Sequence, residues 1–434
     1  MRRIYFILLT AVISFNCKKE SSPGNGQPAV LPTVTTNPIL SVTKISAFSG
    51  GNISSDGGAA ISGRGVCWST SPNPVVTGNH SLDGAGSGTF ISGIPALAPS
   101  TMYYVRAYAQ NSVGTAYGNE LSFTTANADI YVAGFESNGI KEVAKIWKNG
   151  VATNLTNGIN NARAFGLFVN GDDVYVVGYE ATPPVGQSVK VWKNGVGTSL
   201  TSGTSAFAWS VFVSGNDVYV AGDEASSYPR TARVWKNGIA TSLSTGGVYS
   251  EVWSVFVSGN DVYASGSEFN GNVGIAKFWK NGIGTALTNG VYDATAEAIA
   301  VSGSDVYVSG FESNGTKTVA KVWKNGVASA LTNGTNDAQG YAISLSGSDV
   351  FVAGNESNGT KTVAKQWKNG VATSLTDGSN NARAYSIFTL GTNVYTAGYE
   401  YSGTNTVAKY WNNGVSTSLT SGSNGAIATA IFVK

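Results

Sequence analysis

Seven residues recur at one position of an internal repeat, and five of them are aromatic. Counted back from the turn that follows each copy, the position reads Phe165, Trp209, Trp253, Glu297, Tyr341, Tyr385 and Thr429. Aromatic rings at the mouth of a channel can stack on sugar rings or anchor a protein ligand. Sheet packing is the alternative, because a two-residue hairpin turn would place Trp209 opposite Gly222, and a glycine recurs there in every copy.

Three carboxylates break the repeat and are the candidates for acid–base chemistry. Asp293 and Glu297 lie in one connection between repeats, and Asp337 lies in the next. We include all three, with the five aromatic residues, in the predicted ligand-binding set. The sequence has a single histidine, His80, which disfavours Ser-His-Asp chemistry and His-rich metal sites. Calcium-loop, Walker and CxxC motifs are also missing, so we predict a protein that is not an enzyme and has no cofactor.

Each copy also carries one glutamate and one basic residue at fixed positions. The glutamates are Glu136, Glu180, Glu224, Glu268, Glu312, Glu356 and Glu400. The basic residues are Lys145, Lys190, Arg233, Lys277, Lys321, Lys365 and Lys409. A ring of carboxylates could hold a metal ion, but strand parity puts both residue types on the same face. We therefore predict ion pairs between neighbouring repeats and no metal site.

The element that positions these residues is a 44-residue repeat that begins after residue 126. Each copy contains a tryptophan followed by an Asn-Gly pair, the signal for a type I′ hairpin turn, and has room for four strands. Repeats of this length and composition resemble β-propeller blades. Both tight turns of a blade would lie on one face and both variable loops on the other, where binding residues are usual.

The two ends of the repeat region complement each other. The first copy begins at "DIYVAGFE" without a preceding strand, and the final "AIATAIFVK" is such a strand without its following hairpin. First and last strands would therefore complete one blade and leave no free edge. The sequence predicts a closed seven-bladed β-propeller at residues 127–434, with the turn tryptophans packed between blades.

Residues 33–126 form a separate segment of short alternating strands and turn clusters. The run "LAPSTMYYVRAYAQNSVGTAYG" resembles the tyrosine-corner region of fibronectin type III domains. That resemblance implies a β-sandwich used as a spacer or protein-contact module. Cys67 is expected to be a small buried core residue, and His80 a solvated loop residue.

The first residues read as an export signal. A basic start and an apolar run at 1–16 are followed directly by Cys17. This arrangement resembles a bacterial lipoprotein signal, which implies cleavage before Cys17 and acylation of that cysteine. Residues 17–32 have the composition of a flexible tether. We predict a secreted protein that is lipid-anchored at the outer membrane or cell surface, with no disulfide.

Composition supports these assignments. Glycine contributes 55 of 434 residues and charged residues only 12%, which favours an all-β chain. The net charge of +2 comes from Arg2 and Arg3 in the signal, so the remaining chain offers no electrostatic footprint for nucleic acid. We predict a monomeric surface binding or adhesion protein for a glycan or surface protein. A structural envelope scaffold without a dedicated ligand is the alternative, and a polysaccharide hydrolase or lyase is less favoured.

Overall fold

β-Strands are the regular elements of the described chain, as the alternating apolar pattern predicts. The computed structural model describes residues 28–181, 183–184, 186–202, 205–225, 229–244 and 248–434. Within these ranges no helix is long and apolar enough to cross a membrane. The predicted signal peptide (1–16), Cys17 and most of the predicted tether lie outside the described residues. The all-β prediction is confirmed.

The chain divides into two compact units. Among the described residues, one unit comprises 28–40 together with 48–93 and 103–122, and the other comprises 41–47, 94–102 and those from 123 to 434. The division therefore groups three short segments of the predicted N-terminal domain, 41–47, 94–102 and 123–126, with the repeats.

The N-terminal strands form two antiparallel sheets. Their bounds are Thr33–Thr36 (β1), Ala47–Ser55 (β2), Gly63–Ser69 (β3), Asn79–His80 (β4), Gly88–Ile94 (β5), Met102–Gln110 (β6), Thr115–Tyr117 (β7) and Leu121–Thr124 (β8). One sheet has the order β1-β2-β5, and the other has the order β4-β3-β6-β7 with β8 also paired to β6. Cys67 is fully buried, as predicted, and burial raises the pKa of its thiol to about 11. His80 is exposed, although it lies in the short strand β4 and not in a loop.

In the described residues, each of the seven repeats contributes four antiparallel strands. Five repeats form separate four-stranded sheets, and repeats 2 and 3 are joined into one eight-stranded sheet by a parallel pairing of Gln187 with Ser205. The first strands are Ala162–Asn170 (β12), Ser205–Ser214 (β16), Ser250–Ser258 (β20), Ala294–Ser302 (β24), Ala338–Ser346 (β28), Ala382–Leu390 (β32) and Ala426–Val433 (β36). The second strands are Ile130–Ser137 (β9), Asp173–Ala181 (β13), Asp217–Ala225 (β17), Asp261–Asn270 (β21), Asp305–Ser313 (β25), Asp349–Ser357 (β29) and Asn393–Ser402 (β33).

The outer half of each sheet is a hairpin made by the third and fourth strands. The third strands are Glu142–Lys148 (β10), Gln187–Lys193 (β14), Thr231–Lys236 (β18), Val273–Lys280 (β22), Thr318–Lys324 (β26), Thr362–Lys368 (β30) and Asn405–Asn412 (β34). The fourth strands are Val151–Asn154 (β11), Val196–Ser199 (β15), Ile239–Ser242 (β19), Ile283–Ala286 (β23), Val327–Ala330 (β27), Val371–Ser374 (β31) and Val415–Ser418 (β35). We number the sheets repeat 1 (β36, β9–β11) to repeat 7 (β32–β35).

The Asn-Gly turns have the geometry that the sequence predicts. In the first of them, Asn149 has φ 51° and Gly150 has φ 84°, and positive values at both central residues define a type I′ turn. The Asn149 side chain accepts a hydrogen bond from the Ile130 backbone N–H at 2.8 Å and donates one to Asp129 at 3.0 Å. The turn is therefore tied to the start of the second strand.

The last strand completes the first sheet, as predicted. β36 pairs antiparallel with β9 in a register that joins Val433 to Ile130 and Ala426 to Glu136. The backbones of Asp129 and Lys434 also exchange two hydrogen bonds, of 2.8 and 3.0 Å. Neighbouring first strands contact one another in order from β12 to β36, and β36 in turn contacts β12.

Tryptophans from the third strands fill the space between adjacent sheets. Trp192 of repeat 2 packs against Tyr131 and Ala133 of repeat 1, and Trp147 of repeat 1 packs against Tyr395 of repeat 7. The corresponding tryptophan of every repeat is at most 2% exposed. The prediction that these rings form the core between repeats is confirmed.

Candidate functional site

A β-bulge lies in the first strand of every repeat, and it determines where the candidate residues point. The register of β16 on β17 shifts between Ala208 and Ser210, so Trp209 is the extra, unpaired residue. The same shift occurs in the other six repeats. The bulged residues are Phe165, Trp209, Trp253, Glu297, Tyr341, Tyr385 and Thr429. A bulge bends its strand and re-aims one side chain, which here happens at the same point in every repeat.

The bulge makes one prediction wrong. Trp209 does not face Gly222, because Ala208 occupies that pairing position. A Cβ atom on Gly222 would lie 2.0 Å from the carbonyl oxygen of Phe207, and the equivalent glycines are equally close to the strand opposite. The recurring glycine therefore permits the close approach of two backbones. It is not a surface on which an aromatic ring packs.

The bulged residues come together around one cavity of about 370 Å³. All seven line it, together with Phe135, Arg163 and Ile427. Each of the seven side chains is partly exposed. The structure thus brings together six of the predicted site residues, which are Phe165, Trp209, Trp253, Glu297, Tyr341 and Tyr385.

The aromatic rings form two arcs in the cavity wall. In the first arc, the ring centroids of Phe165 and Trp209 are 4.5 Å apart and those of Trp209 and Trp253 are 4.8 Å apart. Tyr341 and Tyr385 form the second arc at 5.2 Å. All three pairs are tilted, a geometry that aromatic quadrupoles favour.

Two non-aromatic residues separate the arcs. Thr429 donates to backbone carbonyls, with its hydroxyl 3.0 Å from the oxygen of Ala133 and 2.9 Å from that of Ala164. Glu297, on the other side, has no hydrogen-bond or ion-pair partner among the described residues. Burial raises the pKa of Glu297 to about 8, and the nearby charge of Glu251 adds to the effect. A carboxyl group with this pKa is largely protonated at neutral pH.

A buried carboxylate fixes the orientation of Trp209. The indole Nε1–H donates to Asp223 Oδ2 at 2.6 Å, and Arg230 forms an ion pair with Asp223 at 2.8 Å. Burial raises the pKa of Asp223 to about 6. Sequence reasoning missed Asp223, although it is the only acid at its position in the seven second strands.

The basic residue in the cavity wall is already paired. Arg163 makes two hydrogen bonds of 2.6 Å to the carboxylate of Glu142, and its guanidinium lies 4.5 Å from the ring centroid of Phe135. The bidentate pair balances the charge of Arg163 and holds it against an aromatic face. Neither Arg163 nor Glu142 was predicted. Arg163 recurs as Arg383 in repeat 7, Glu142 has no acidic equivalent in the other repeats, and neither belongs to a recognisable motif.

The other two predicted carboxylates do not line the cavity. Asp293 is exposed and accepts a hydrogen bond from the Gly274 backbone N–H at 2.8 Å. Asp337 accepts from the Thr318 N–H and from Lys317 Nζ, both at 3.0 Å, and the bond from Thr318 contributes most to lowering its pKa. Both side chains hold loops in place, and neither is assembled with Glu297 into an acid–base pair.

The glutamates that recur in every repeat form ion pairs within their own repeat. The prediction of ion pairs between neighbouring repeats is therefore wrong. Lys145 Nζ on β10 lies 2.5 Å from Glu136 Oε2 on β9, and the equivalent pair recurs in each sheet. The two positions are diagonal neighbours across the pair of strands. Across the described ranges, no cluster of three or more His, Cys, Asp or Glu side chains could hold a metal ion.

A second circuit of rings lies closer to the tight turns. Its members are Phe388, Phe432, Phe168, Phe212 and Phe256, with successive centroids 4.6 to 5.2 Å apart. Ala300 and Ser344 take the corresponding positions in repeats 5 and 6. Sequence reasoning missed this layer, although the recurring phenylalanine of "VFV" and "IFV" is its signal.

Comparison with known proteins gives little further information. No protein-family model matches the sequence, and no curated protein matches it. Among solved structures, the chain is similar to the crystal structure of TolB from Acinetobacter baumannii, with a TM-score of 0.41 and 9% sequence identity over 76% of this chain and 79% of that chain. Similarity at this level carries no argument about ligand or activity.

Proposed function

We propose that this chain is a lipid-anchored binding or adhesion protein of the bacterial cell surface. In this proposal the repeats form a closed seven-bladed propeller that binds a glycan or a surface protein on its variable-loop face. The supporting observation is that the bulges of seven repeats direct five aromatic side chains to one cavity of about 370 Å³. Rings that are partly exposed in a concave site are typical of ligand-binding pockets.

Three further observations agree with the architecture that we propose. First strands contact one another around the complete set of repeats, and β36 completes the sheet of β9. The N-terminal strands form two sheets, which is the number expected of a fibronectin type III-like sandwich. We assign this segment a spacer role.

We propose a non-enzymatic role, because the candidate acid–base residues are not assembled. Asp293 and Asp337 anchor loops, so Glu297 has no second carboxylate beside it from the predicted set. A structural envelope scaffold is the second candidate. The contacts between aromatic rings of adjacent repeats favour it, since the same rings also pack the sheets together.

Ligand retention tests the binding proposal. The purified full chain is screened against a glycan array and a panel of envelope proteins, with a Trp253→Ala variant alongside. Trp253 is the variant of choice because its indole N–H has no hydrogen-bond partner among the described residues, so truncation breaks no polar contact. Retention by the native chain that is lost in a folded variant supports the binding role. If the native chain retains no ligand from either panel, the scaffold role is favoured.

The anchor has its own test, which depends on Cys17. A Cys17→Ser variant should leave the membrane fraction and appear in the soluble fraction, because the acylated thiol would be missing. Retention of the variant in the membrane fraction would contradict lipidation at this residue.

A further inference from the structure

One carboxyl group in the wall of the aromatic cavity is left without a partner by the protein. Glu297 is partly exposed, and no described residue bonds to it. The other carboxylates close to the cavity are all satisfied: Glu142 by Arg163, Asp223 by Trp209 and Arg230, and Glu251 by Tyr249. An unpartnered carboxyl group that faces a cavity is available to a ligand.

The surroundings of Glu297 are aromatic on both sides. In the order of the repeats it stands between Trp253 and Tyr341, the ends of the two arcs of rings. Aromatic faces carry a negative quadrupole and attract cations, and a carboxylate at the same place adds a full negative charge. Among the residues that line the cavity, Arg163 is the one cation, and Glu142 neutralises its charge. Arg383 is outside this lining and hydrogen-bonds to Tyr385.

We propose that the cavity binds an organic cation, with an alkylated ammonium group held against the aromatic faces and the Glu297 carboxylate as its counter-ion. This inference rests on the proposed binding function and names the chemistry of the ligand. A cavity of about 370 Å³ accommodates a small ammonium head group. Alkylated ammonium fits better than a metal ion, because Glu297 is the one carboxylate in the cavity lining and no cluster of three or more His, Cys, Asp or Glu side chains occurs in the described residues.

Binding of a cation should release a proton from Glu297. The titratable and charged groups that act on Glu297 or on the tyrosines beside it are Glu251 on β20, Tyr341 on β28, Tyr385 and Arg383 on β32, Tyr399 on β33 and Arg163 on β12. With its pKa near 8, Glu297 is about nine-tenths protonated at pH 7 in the empty cavity. A bound cation favours the charged form, so the proton moves to solvent as the ion pair forms.

Calorimetric titration of the full chain tests the proposal with a matched pair of small probes. Choline carries a quaternary ammonium group, and 3,3-dimethyl-1-butanol has the same shape with a neutral carbon in place of the nitrogen. We expect choline to bind at least tenfold more tightly. Titrations at pH 7 in buffers of different ionisation enthalpy should show release of close to one proton per choline, and little release at pH 9.

Two variants test whether Glu297 is the counter-ion of the bound cation. Glu297→Gln should reduce choline affinity at least tenfold and abolish proton release, whereas Asp337→Asn, which changes an exposed loop carboxylate, should leave both unchanged. The comparison of the two probes uses the native chain and needs no variant to fold. Equal affinity for choline and its neutral analogue, or no binding of choline at all, would overturn the proposal.

These experiments distinguish a failure of the cation inference from a failure of the proposed binding function. If choline fails but the chain retains a glycan or protein and loses it on Trp253→Ala substitution, the binding function stands and the cation inference is wrong. If choline binds without dependence on Glu297, the cation site lies elsewhere and the inference is equally wrong.

Discussion

Replacing Glu297 with glutamine should make the protein more stable, and increasingly so as the pH rises. Its carboxyl group titrates near pH 8 in the folded state and near its ordinary value of 4.5 in the unfolded chain. The folded protein therefore holds this proton more tightly than the unfolded chain does. The associated stability is fully present below pH 4.5 and is lost as the pH rises towards 8. Glutamine does not titrate, so Glu297→Gln removes the loss.

The size of the effect follows from the difference between the two pKa values. At about 1.4 kcal/mol for each pH unit, the difference corresponds to an upper limit of about 5 kcal/mol in the free energy of unfolding. Because part of this difference is already lost below pH 5, we expect the variant to gain about 4 kcal/mol relative to the native chain between pH 5 and pH 9.

Urea unfolding followed by tryptophan fluorescence measures this difference, because nine of the ten tryptophans have numbers above 126. Native chain and variant are compared at intervals from pH 5 to pH 9. Asp337→Asn is the control: bonds in the folded state lower the pKa of Asp337, so its contribution is lost only in acid and its curve should parallel the native one. Parallel curves for the native chain and Glu297→Gln would show that the carboxyl group is not held in its neutral form.

Two further substitutions test the bulge and the network beside it. Trp209→Phe should lower the free energy of unfolding by about 1 to 3 kcal/mol, because the buried carboxylate of Asp223 loses its indole donor, and the same urea titration measures this. Gly222→Ala should cost at least about 3 kcal/mol by the same measurement, since its Cβ would lie 2.0 Å from a carbonyl oxygen on the neighbouring strand.

Each of these has a matched control in the same fold. Trp253→Phe removes an indole N–H that bonds to no described residue, so it should cost less than Trp209→Phe; equal losses would mean that the bond to Asp223 contributes nothing. Gly215→Ala lies in an open turn with φ 59° and should cost about 1 kcal/mol. If Gly222→Ala is tolerated as well as Gly215→Ala, the strands can separate more easily than the structure indicates.

The repeat, its hairpins and its tryptophan core could be predicted because each depends on local patterns. Asn149 and Gly150 specify a turn on their own. A tryptophan, which is Trp147 in the first copy, precedes this turn at the same distance in every copy. The pairing of β36 with β9 was also predictable, since each is half of a pattern that is complete elsewhere.

The orientation of the site residues was harder to predict, because counting from the turn assumes that side chains alternate without interruption along the strand. One extra residue at Trp209 reverses the parity of the strand around it, so counting from the turn gave the wrong partner for Gly222. Position in the repeat nevertheless identified the residues of the cavity, because the same bulge occurs in every copy. Asp223 was missed because its role depends on Arg230, which reaches it from outside the first two strands.

The pairing of β36 with β9 also has a consequence for how the protein is made. β36 is synthesised after all the other strands of the repeats, so β9 keeps an unpaired edge during translation. Thr429 and Ala133, which are hydrogen-bonded in the folded protein, are 296 residues apart in the chain, and closure of so long a loop is slow. Until β36 pairs with β9, the unpaired edge of β9 can pair with strands of other chains. Moving the β36 sequence in front of β9 would make this pairing local, and such a permuted chain should refold faster and aggregate less.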